Sequence, residues 1–183
     1  MRNVINSTYI SLDGVIQEPQ HWPATGGFGE RGNRMQAALL ERCDAVLMGR
    51  STYESFASVW PGLAGNPMGD RMNALPKYVV STTLKDPEWN NTNVIDRDPV
   101  TAVADLKRQP GGDIVQYGFG PLAHELMANG LLDELRLWIH PFILGTGTPA
   151  DLLYRAGSSG GFALAEAITL DSGIVMLTYR TAK

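Results

Sequence analysis

Short apolar runs alternate with stretches in which apolar residues recur every three to four positions. The runs, rich in β-branched and aromatic residues, predict strands at 4–11, 44–48, 77–82, 94–95, 113–117 and 133–140. The helical spacing predicts helices over 34–42, 50–60, 66–75, 98–108 and 121–129. Two last apolar runs, 162–170 and 174–181, flank an Asp-Ser-Gly turn and predict a terminal β-hairpin. This alternation indicates an α/β sandwich around a mixed sheet.

Two of the predicted strands end in glycine turns that open directly into helices. The first turn is Gly49-Arg50-Ser51-Thr52, and the second is Gly118-Phe119-Gly120, which Pro121 and Leu122 follow. Glycine lets a ligand approach the backbone closely, and a helix N-terminus offers N–H groups to an anion such as a nucleotide phosphate. A plain connection between a strand and a helix explains each turn equally well, because neither is a full dinucleotide fingerprint.

The segment from Gln17 to Gly32 carries two prolines, four glycines and no periodicity, so it predicts a long loop. Long loops in compact domains are usually functional, and Trp22 and Phe28 favour an ordered lid or substrate wall. We expect Asn33 to cap the helix that follows. The predicted inner face of that helix consists of Met35, Ala38 and Leu39.

The helix after Gly49 has Ser51 and Glu54 at capping-box spacing. Its apolar face combines Tyr53, Phe56, Ala57 and Trp60. Aromatic side chains at this spacing belong either to the core or to the wall of a substrate site. The candidate substrate-binding residues are Trp22, Tyr53 and Phe56.

Composition narrows the classes of partner. The 183 residues are 44% apolar and 19% charged, with a formal net charge of −4, which is typical of an ordinary globular protein. Charges of both signs are mixed along the chain, so we expect neither a nucleic-acid nor a membrane partner. The length favours one domain over residues 1–183.

Cysteine and histidine offer no metal chemistry. Cys43 is the only cysteine, so it cannot form an internal disulfide, and we expect it to be a small inert core residue. His21, His124 and His140 lack the spacing of metal ligands, so we expect no metal. The first residues lack the apolar core of a signal peptide. A cytoplasmic protein fits these features.

Several segments, in family order and spanning nearly the whole chain, resemble the dihydrofolate reductase-like superfamily. Within it, the chain is similar to the C-terminal reductase domain of the bacterial bifunctional riboflavin biosynthesis protein, RibD, and its stand-alone relatives. The matching segments are Ser11-Leu12-Asp13-Gly14-Val15-Ile16, Met48-Gly49-Arg50-Ser51-Thr52-Tyr53-Glu54, Lys77-Tyr78-Val79-Val80-Ser81, Asp86-Pro87-Glu88-Trp89, Gly118-Phe119-Gly120 and Leu131-Leu132-Asp133-Glu134-Leu135.

This resemblance implies a three-layer α/β/α sandwich around a mixed eight-stranded sheet with a C-terminal hairpin, NADPH as the cofactor, and homodimerisation. It implies that the turn at 49–52 holds the cofactor pyrophosphate and that the turn at 118–122 wraps it from the opposite side. Ser81 and Thr82 would lie near the adenosine ribose and its 2′-phosphate. Many relatives carry arginine where this chain has Thr82, so the charge that meets the 2′-phosphate would come from Arg50, or from Arg97 or Lys85.

No carboxylate in the sequence is an unambiguous proton donor. Asp13 and Glu30, and after them Glu18, lie beside the predicted lid. Asp13 is better explained as a residue that caps a turn before Gly14, and the two glutamates as solvated loop carboxylates. Hydride transfer itself asks the protein mainly to orient the two reactants and to exclude water.

Two functions from different classes therefore remain. The first is an NADPH-dependent reductase of a small heterocyclic substrate, which is either pterin-like or the ribosylamino-pyrimidine of riboflavin synthesis. The second is a non-catalytic nucleotide-binding or sensing module that keeps the reductase fold.

Overall fold

A computed structural model describes residues 1–182. Its strands are β1 Val4–Ile10, β2 Cys43–Gly49, β3 Lys77–Val80, β4 Thr92–Ile95, β5 Asp113–Tyr117, β6 Glu134–Ile139, β7 Phe162–Thr169 and β8 Val175–Thr181. Its α-helices are α1 Gly29–Arg42, α2 Arg50–Ala57, α3 Pro67–Ala74, α4 Pro99–Arg108 and α5 Pro121–Ala128. Short 3₁₀ turns occur at Pro19–His21, Trp60–Leu63 and Pro149–Asp151.

All eight strands form one sheet in the order β4-β3-β2-β5-β1-β6-β8-β7. Strands β1 to β6 pair in parallel, whereas β8 runs antiparallel to both β6 and β7. This confirms the mixed sheet and the C-terminal hairpin. Because the six parallel strands point the same way, the loops that follow them gather at one edge of the sheet, which we call the carboxyl edge.

Helices cover both faces of the sheet and make it the middle of three layers. On one face, α4 and α5 contribute Val103, Leu106, Ala123 and Leu126 to a core with β1, β2 and β5. On the other face, α1, α2 and α3 contribute Leu39, Leu40, Tyr53 and Met72. The predicted alternation of β6 is confirmed, since its leucines pack on the first face and Trp138 on the second.

Helix α1 begins earlier than the sequence predicted. It starts at Gly29, and Asn33 lies inside the helix and does not cap it. The glycine-rich composition suggested a loop, but a Cβ at Gly32 would stand 2.7 Å from the Cβ of Phe28 and 2.9 Å from Leu170. Glycine therefore serves close packing here.

The inner face of α1 differs from the prediction at one position, since Met35 packs against the core around Trp138 as expected. Leu39 is buried as expected, but Ala38 is exposed and Leu40 is buried in its place. The cause is tertiary, because the last turn of α1 packs against both the sheet and α3. None of the helices among residues 1–182 has the length and apolar character needed to cross a bilayer.

Lys77 is fully buried at the start of β3. Its Nζ donates to the backbone carbonyls of Asn73 at 2.6 Å and Asn90 at 3.1 Å, and lies 4.4 Å from the centre of a Trp89 ring. Burial lowers the pKa of Lys77 to about 8. The folded state therefore releases this proton at a lower pH than the unfolded chain does.

We expect the wild type to gain stability over a Lys77→Met variant as pH rises from 8 to 10.5. In this window the unfolded lysine still binds a proton that the folded lysine has lost, so the difference in free energy of unfolding should grow by about 2.5 kcal/mol. Urea titrations of both proteins across this range measure that difference. A difference independent of pH would contradict the assignment.

Candidate nucleotide site at the carboxyl edge

The two glycine turns predicted to bind a cofactor lie side by side. Strand β2 pairs in parallel with β5, with Leu47 opposite Gln116, so the turns at Gly49 and Gly118 leave the sheet at neighbouring positions. Adjacent strands are about 4.8 Å apart. The register of the sheet therefore brings together segments that are almost 70 residues apart in sequence.

The turns also touch. A Cβ at Gly118 would stand 2.6 Å from Oγ1 of Thr52, and Gly118 has a φ of +79°. Both the backbone conformation and the contact require glycine at this position. Thr52 thus lies in the first turn of α2 directly against the loop after β5.

Gly49 and Gly120 present the opposite case. Their φ values are −81° and −86°, which any residue can adopt, and a Cβ at either position would meet nothing within 4 Å. Neither the backbone nor packing within residues 1–182 requires glycine there. The open space beside both turns suits a ligand that approaches the main chain.

The helices that start at these turns have free N-termini. Helices α3 and α4 are capped by the side chains of Asn66 and Asp98, whereas α2 and α5 begin after Gly49 and Gly120 with no side-chain cap. Backbone N–H groups at such ends, together with the helix dipole, favour an anion. At α5 the first of these positions is Pro121, which has no N–H.

The predicted capping box of α2 does not form. Gly49 occupies the N-cap position, so Ser51 lies inside the helix, and Glu54 accepts a hydrogen bond from Nε of Arg50 at 2.7 Å. The spacing of Ser51 and Glu54 matched the motif, but the helix begins one residue before Ser51. The hydroxyl of Ser51 is left at the exposed end of α2.

Arg50 connects this helix to the end of β3. Its guanidinium donates to the hydroxyl of Thr83 as well as to Glu54. In the same turn, Oγ of Ser81 accepts from the backbone N–H groups of Thr83 at 3.2 Å and Leu84 at 2.9 Å, and Thr82 is exposed. Arg50 is therefore the cation that borders both the α2 turn and the hydroxyl-rich end of β3.

Arg97 and Lys85 are the two alternatives to Arg50 as the cation that would meet the 2′-phosphate. Arg97 pairs with Asp105 of α4 at 3.0 Å. Lys85 is exposed in the connection between β3 and β4. Neither bonds to the turn after β2 or to the turn after β5.

Three other predicted site residues pack into the core beneath the turns and do not line the open space. They are Phe119, Leu122 and Tyr53. Phe119 is buried and packs edge-on to His124 with ring centres 4.9 Å apart, so it anchors its loop to α5. Leu122 packs against the core that α4 and α5 form with the sheet, to which Phe119 also belongs. Tyr53 is buried too, and its hydroxyl accepts from the backbone N–H of Trp89 at 3.2 Å. These side chains face the protein interior.

Phe56 and Trp22 lie at the carboxyl edge. Phe56 is half-buried, 5.1 Å from the ring of Tyr117 at the end of β5. Trp22 donates from Nε1 to the carbonyl of Gln17, and its ring lies edge-on to His140 and Phe142, at 5.3 and 5.7 Å. The segment between β1 and α1 therefore packs around Trp22.

The candidate proton donors have other partners. Asp13 accepts from Oγ of Ser11 at 2.6 Å and from the backbone N–H groups of Leu144 and Gly145, and these hydrogen bonds lower its pKa to about 2. It is therefore ionised at neutral pH. Glu30 lies in the first turn of α1, largely in solvent, where it pairs with Arg34. Glu18 is exposed in the lid.

His140 is a buried group that sequence analysis did not select as a site residue. It follows β6, is 7% exposed, and its Nε2 has no hydrogen-bond partner among residues 1–182. Burial lowers its pKa, so the ring is neutral near pH 7. An unpaired buried nitrogen costs about 1–3 kcal/mol. The available signal was the alternation of β6, which places the ring on the same face as Trp138.

Residues 2–176 match the family described as the RibD C-terminal domain. The chain belongs to this family. Among curated relatives, the uncharacterized protein YyaP of Bacillus subtilis (strain 168) is 29% identical over 145 residues, which cover 77% of this chain and 76% of YyaP. The protein YwjB of the same organism is 26% identical over 141 residues, or 76% of this chain and 77% of YwjB.

Solved structures share the fold at low sequence identity. A riboflavin-biosynthesis-type protein from Shewanella sp. PV-4 has a TM-score of 0.76 with 22% identity, and each chain is covered completely. Dihydrofolate reductase from Enterococcus faecalis, solved in complex with NADP(H), has a TM-score of 0.65 with 14% identity and covers 99% of this chain and 97% of its own. The eight-stranded dihydrofolate reductase-like fold predicted from the sequence is thereby confirmed.

The contrast between Gly118 and Gly120 can be tested on stability alone. Gly118→Ala should lower the free energy of unfolding by about 1–3 kcal/mol, because alanine is strained at this φ and meets Thr52. Gly120→Ala should change it by less than about 0.5 kcal/mol. Urea denaturation measures both, and equal losses would mean that Gly120 is also a structural glycine.

Proposed function

We propose that this protein is an NADPH-dependent reductase that transfers hydride to a small heterocyclic substrate. One observation carries the proposal: the uncapped N-termini of α2 and α5 abut at the carboxyl edge, and two glycines there, Gly49 and Gly120, leave open space that the chain itself does not need. Family membership supports the same reading.

In this proposal the pyrophosphate of the cofactor lies between the two turns. The backbone N–H groups of Ser51 and Thr52 bind it from α2, and that of Leu122 binds it from α5. Gly49 and Gly120 let it approach the main chain. Phe119 and Pro121 hold the second turn in shape.

The adenosine end of the cofactor then points toward the end of β3. Arg50 supplies the positive charge for the 2′-phosphate, since it already reaches the hydroxyl of Thr83. Thr82 offers an exposed hydroxyl, and Ser81 keeps the turn in place through its two backbone hydrogen bonds. If Arg50 gives up its hydrogen bond to Glu54, its guanidinium can turn toward the 2′-phosphate.

The nicotinamide would supply the hydride when the cofactor is bound. The side chains at that end orient the acceptor and exclude water: Trp22 covers it from the lid, and Phe56 with Tyr117 forms an apolar wall. We propose a pterin-like or ribosylamino-pyrimidine-like acceptor, because a flat heterocycle suits aromatic walls. Turnover of the ribosylamino-pyrimidine intermediate of riboflavin synthesis tests the narrower possibility, and failure to turn it over would exclude this substrate.

We also propose that residues 1–183 act as one domain and that the protein is a homodimer. Strand β7 supports an interface, because it is the last strand of the sheet and exposes the apolar side chain of Leu164. Sedimentation velocity tests this assembly. A sedimenting mass of one chain at micromolar concentration would contradict it.

A specific observation also favours the second candidate, a nucleotide-binding module without catalysis. Asp13 is ionised and holds a turn, and Glu30 lies in solvent, so neither is placed as a proton donor. NADPH oxidation with any small carbonyl, imine or pterin compound would exclude this candidate. Cofactor binding without turnover across such a panel would favour it over the reductase.

Gly120→Val should abolish NADPH binding without unfolding the protein. The branched side chain would fill the space reserved for the pyrophosphate, so the dissociation constant should rise by at least about 100-fold. Fluorescence of the reduced nicotinamide reports binding. Gly62→Val is the matched control, because Gly62 also has open space around its Cβ position but belongs to the 3₁₀ turn after α2. Unchanged binding by the Gly120 variant would defeat the proposed site.

Arg50→Gln should weaken NADPH by about 10- to 100-fold and leave NADH unchanged. A hydrogen bond from arginine to phosphate contributes about 1.5–3 kcal/mol, and NADH lacks the 2′-phosphate. Parallel titrations with both cofactors measure the selectivity, and Arg97→Gln is the control. Equal weakening of both cofactors would place Arg50 at the pyrophosphate instead, and loss of selectivity in the control would move the role to Arg97.

A further inference from the structure

The side chain of His140 lies in a box of aromatic rings at the carboxyl edge. Its ring centre is 5.4 Å from that of Tyr9, 5.3 Å from Trp22, 6.0 Å from Phe28 and 5.6 Å from Phe142. Its backbone N–H is fixed by the carbonyl of Ile10 at 2.8 Å. Four rings and a strand end thus hold the imidazole in place.

The box provides no partner for Nε2 of His140. The hydroxyl of Tyr9 is bonded to Oε1 of Gln36 at 3.1 Å, and Nε1 of Trp22 is bonded to the carbonyl of Gln17 at 2.9 Å. Phe28 and Phe142 have no polar atoms. Buried polar atoms in native proteins are almost always paired, so the partner of this nitrogen has to come from outside the described chain.

Along the carboxyl edge, the box lies on the side of the Gly118 turn opposite to Arg50, where the proposed cofactor would place its nicotinamide. His140 follows β6, which is separated from β5 by β1 alone, so it stands about 10 Å across the sheet from the Gly118 turn. Trp22 places the lid against His140, with the two ring centres 5.3 Å apart. A cofactor held by its pyrophosphate at Gly118 would extend its nicotinamide toward this corner.

We propose that Nε2 of His140 is the hydrogen-bonding contact for the hydride acceptor and that the acceptor is a flat heterocycle which enters the aromatic box as Trp22 swings aside. The rings bind its faces, and the imidazole binds one polar atom on its edge. This inference rests on the proposed reductase function. It names the residue that orients the acceptor, and it makes the lid tryptophan a gate over that residue.

The test uses ¹⁵N-labelled protein, titrated with pterin, lumazine and 5,6-diaminouracil, both without cofactor and with NADPH. We expect at least one heterocycle to bind and to shift the ring-nitrogen resonance of His140 Nε2. The ring resonances of His124, whose Nδ1 lies 2.8 Å from Oγ of Ser158, should stay in place as each heterocycle is added and serve as the internal reference.

Two variants separate recognition from structure. His140→Phe keeps the box aromatic and removes the unpaired nitrogen, so its melting temperature should be equal to or higher than that of the wild type, while the dissociation constant of the heterocycle rises by about tenfold. His140→Gln, which keeps a polar group, should recover most of that affinity. NADPH affinity should be the same in all three proteins.

Three results would overturn the inference. They are a heterocycle that binds His140→Phe as tightly as the wild type, a bound heterocycle that leaves the His140 resonance in place, and no binding of any heterocycle at millimolar concentration. Failure of the proposed function is distinguished by the cofactor titration. In that case the wild type does not bind NADPH, whether or not a heterocycle shifts the His140 resonance.

Discussion

The parallel pairing of β2 with β5 is the contact on which the candidate site depends. It places two strand-to-helix turns next to each other, and the contact between Thr52 and Gly118 then sets how closely they approach. Each turn alone would be a weak anion site. Side by side, they place two helix N-termini without side-chain caps after neighbouring strands, and the proposed pyrophosphate would lie between them.

The arrangement divides the glycines into two kinds with different physical reasons. Gly118 is required by a positive φ and by the hydroxyl of Thr52, so it belongs to the fold. Gly49 and Gly120 are required by neither, and their value lies in the space they leave. Glycines that neither the backbone nor the packing requires can therefore indicate a candidate binding site, because they leave space beside the main chain.

The acid chemistry of the site is sparse. Hydrogen bonds keep Asp13 ionised, and solvent surrounds Glu30, so the carboxylates serve turns and surface pairs. Near the site, a buried polar atom without a hydrogen-bond partner among residues 1–182 is instead Nε2 of His140, inside an aromatic box. This combination fits the proposed reductase, in which the cofactor would carry the reactivity and the side chains would mainly orient a flat acceptor and keep water away from it.

The sequence by itself determined the strands, the helices that follow them, the terminal hairpin and the family, because periodicity and turn chemistry are local and the family segments recur in order. The sequence-based prediction failed where the role of a residue depends on its neighbours in space. Gly32 was predicted to lie in a loop, but it lies in α1, where Phe28 and Leu170 pack against it. Ser51 and Glu54 have the spacing of a capping box, but Gly49 occupies the N-cap position. Only the tertiary structure decided that the two glycine turns adjoin, that Arg50 borders the end of β3, and that Nε2 of His140 is buried without a hydrogen-bond partner among residues 1–182. These facts depend on sheet order and register, which join residues far apart in the chain and leave no local trace.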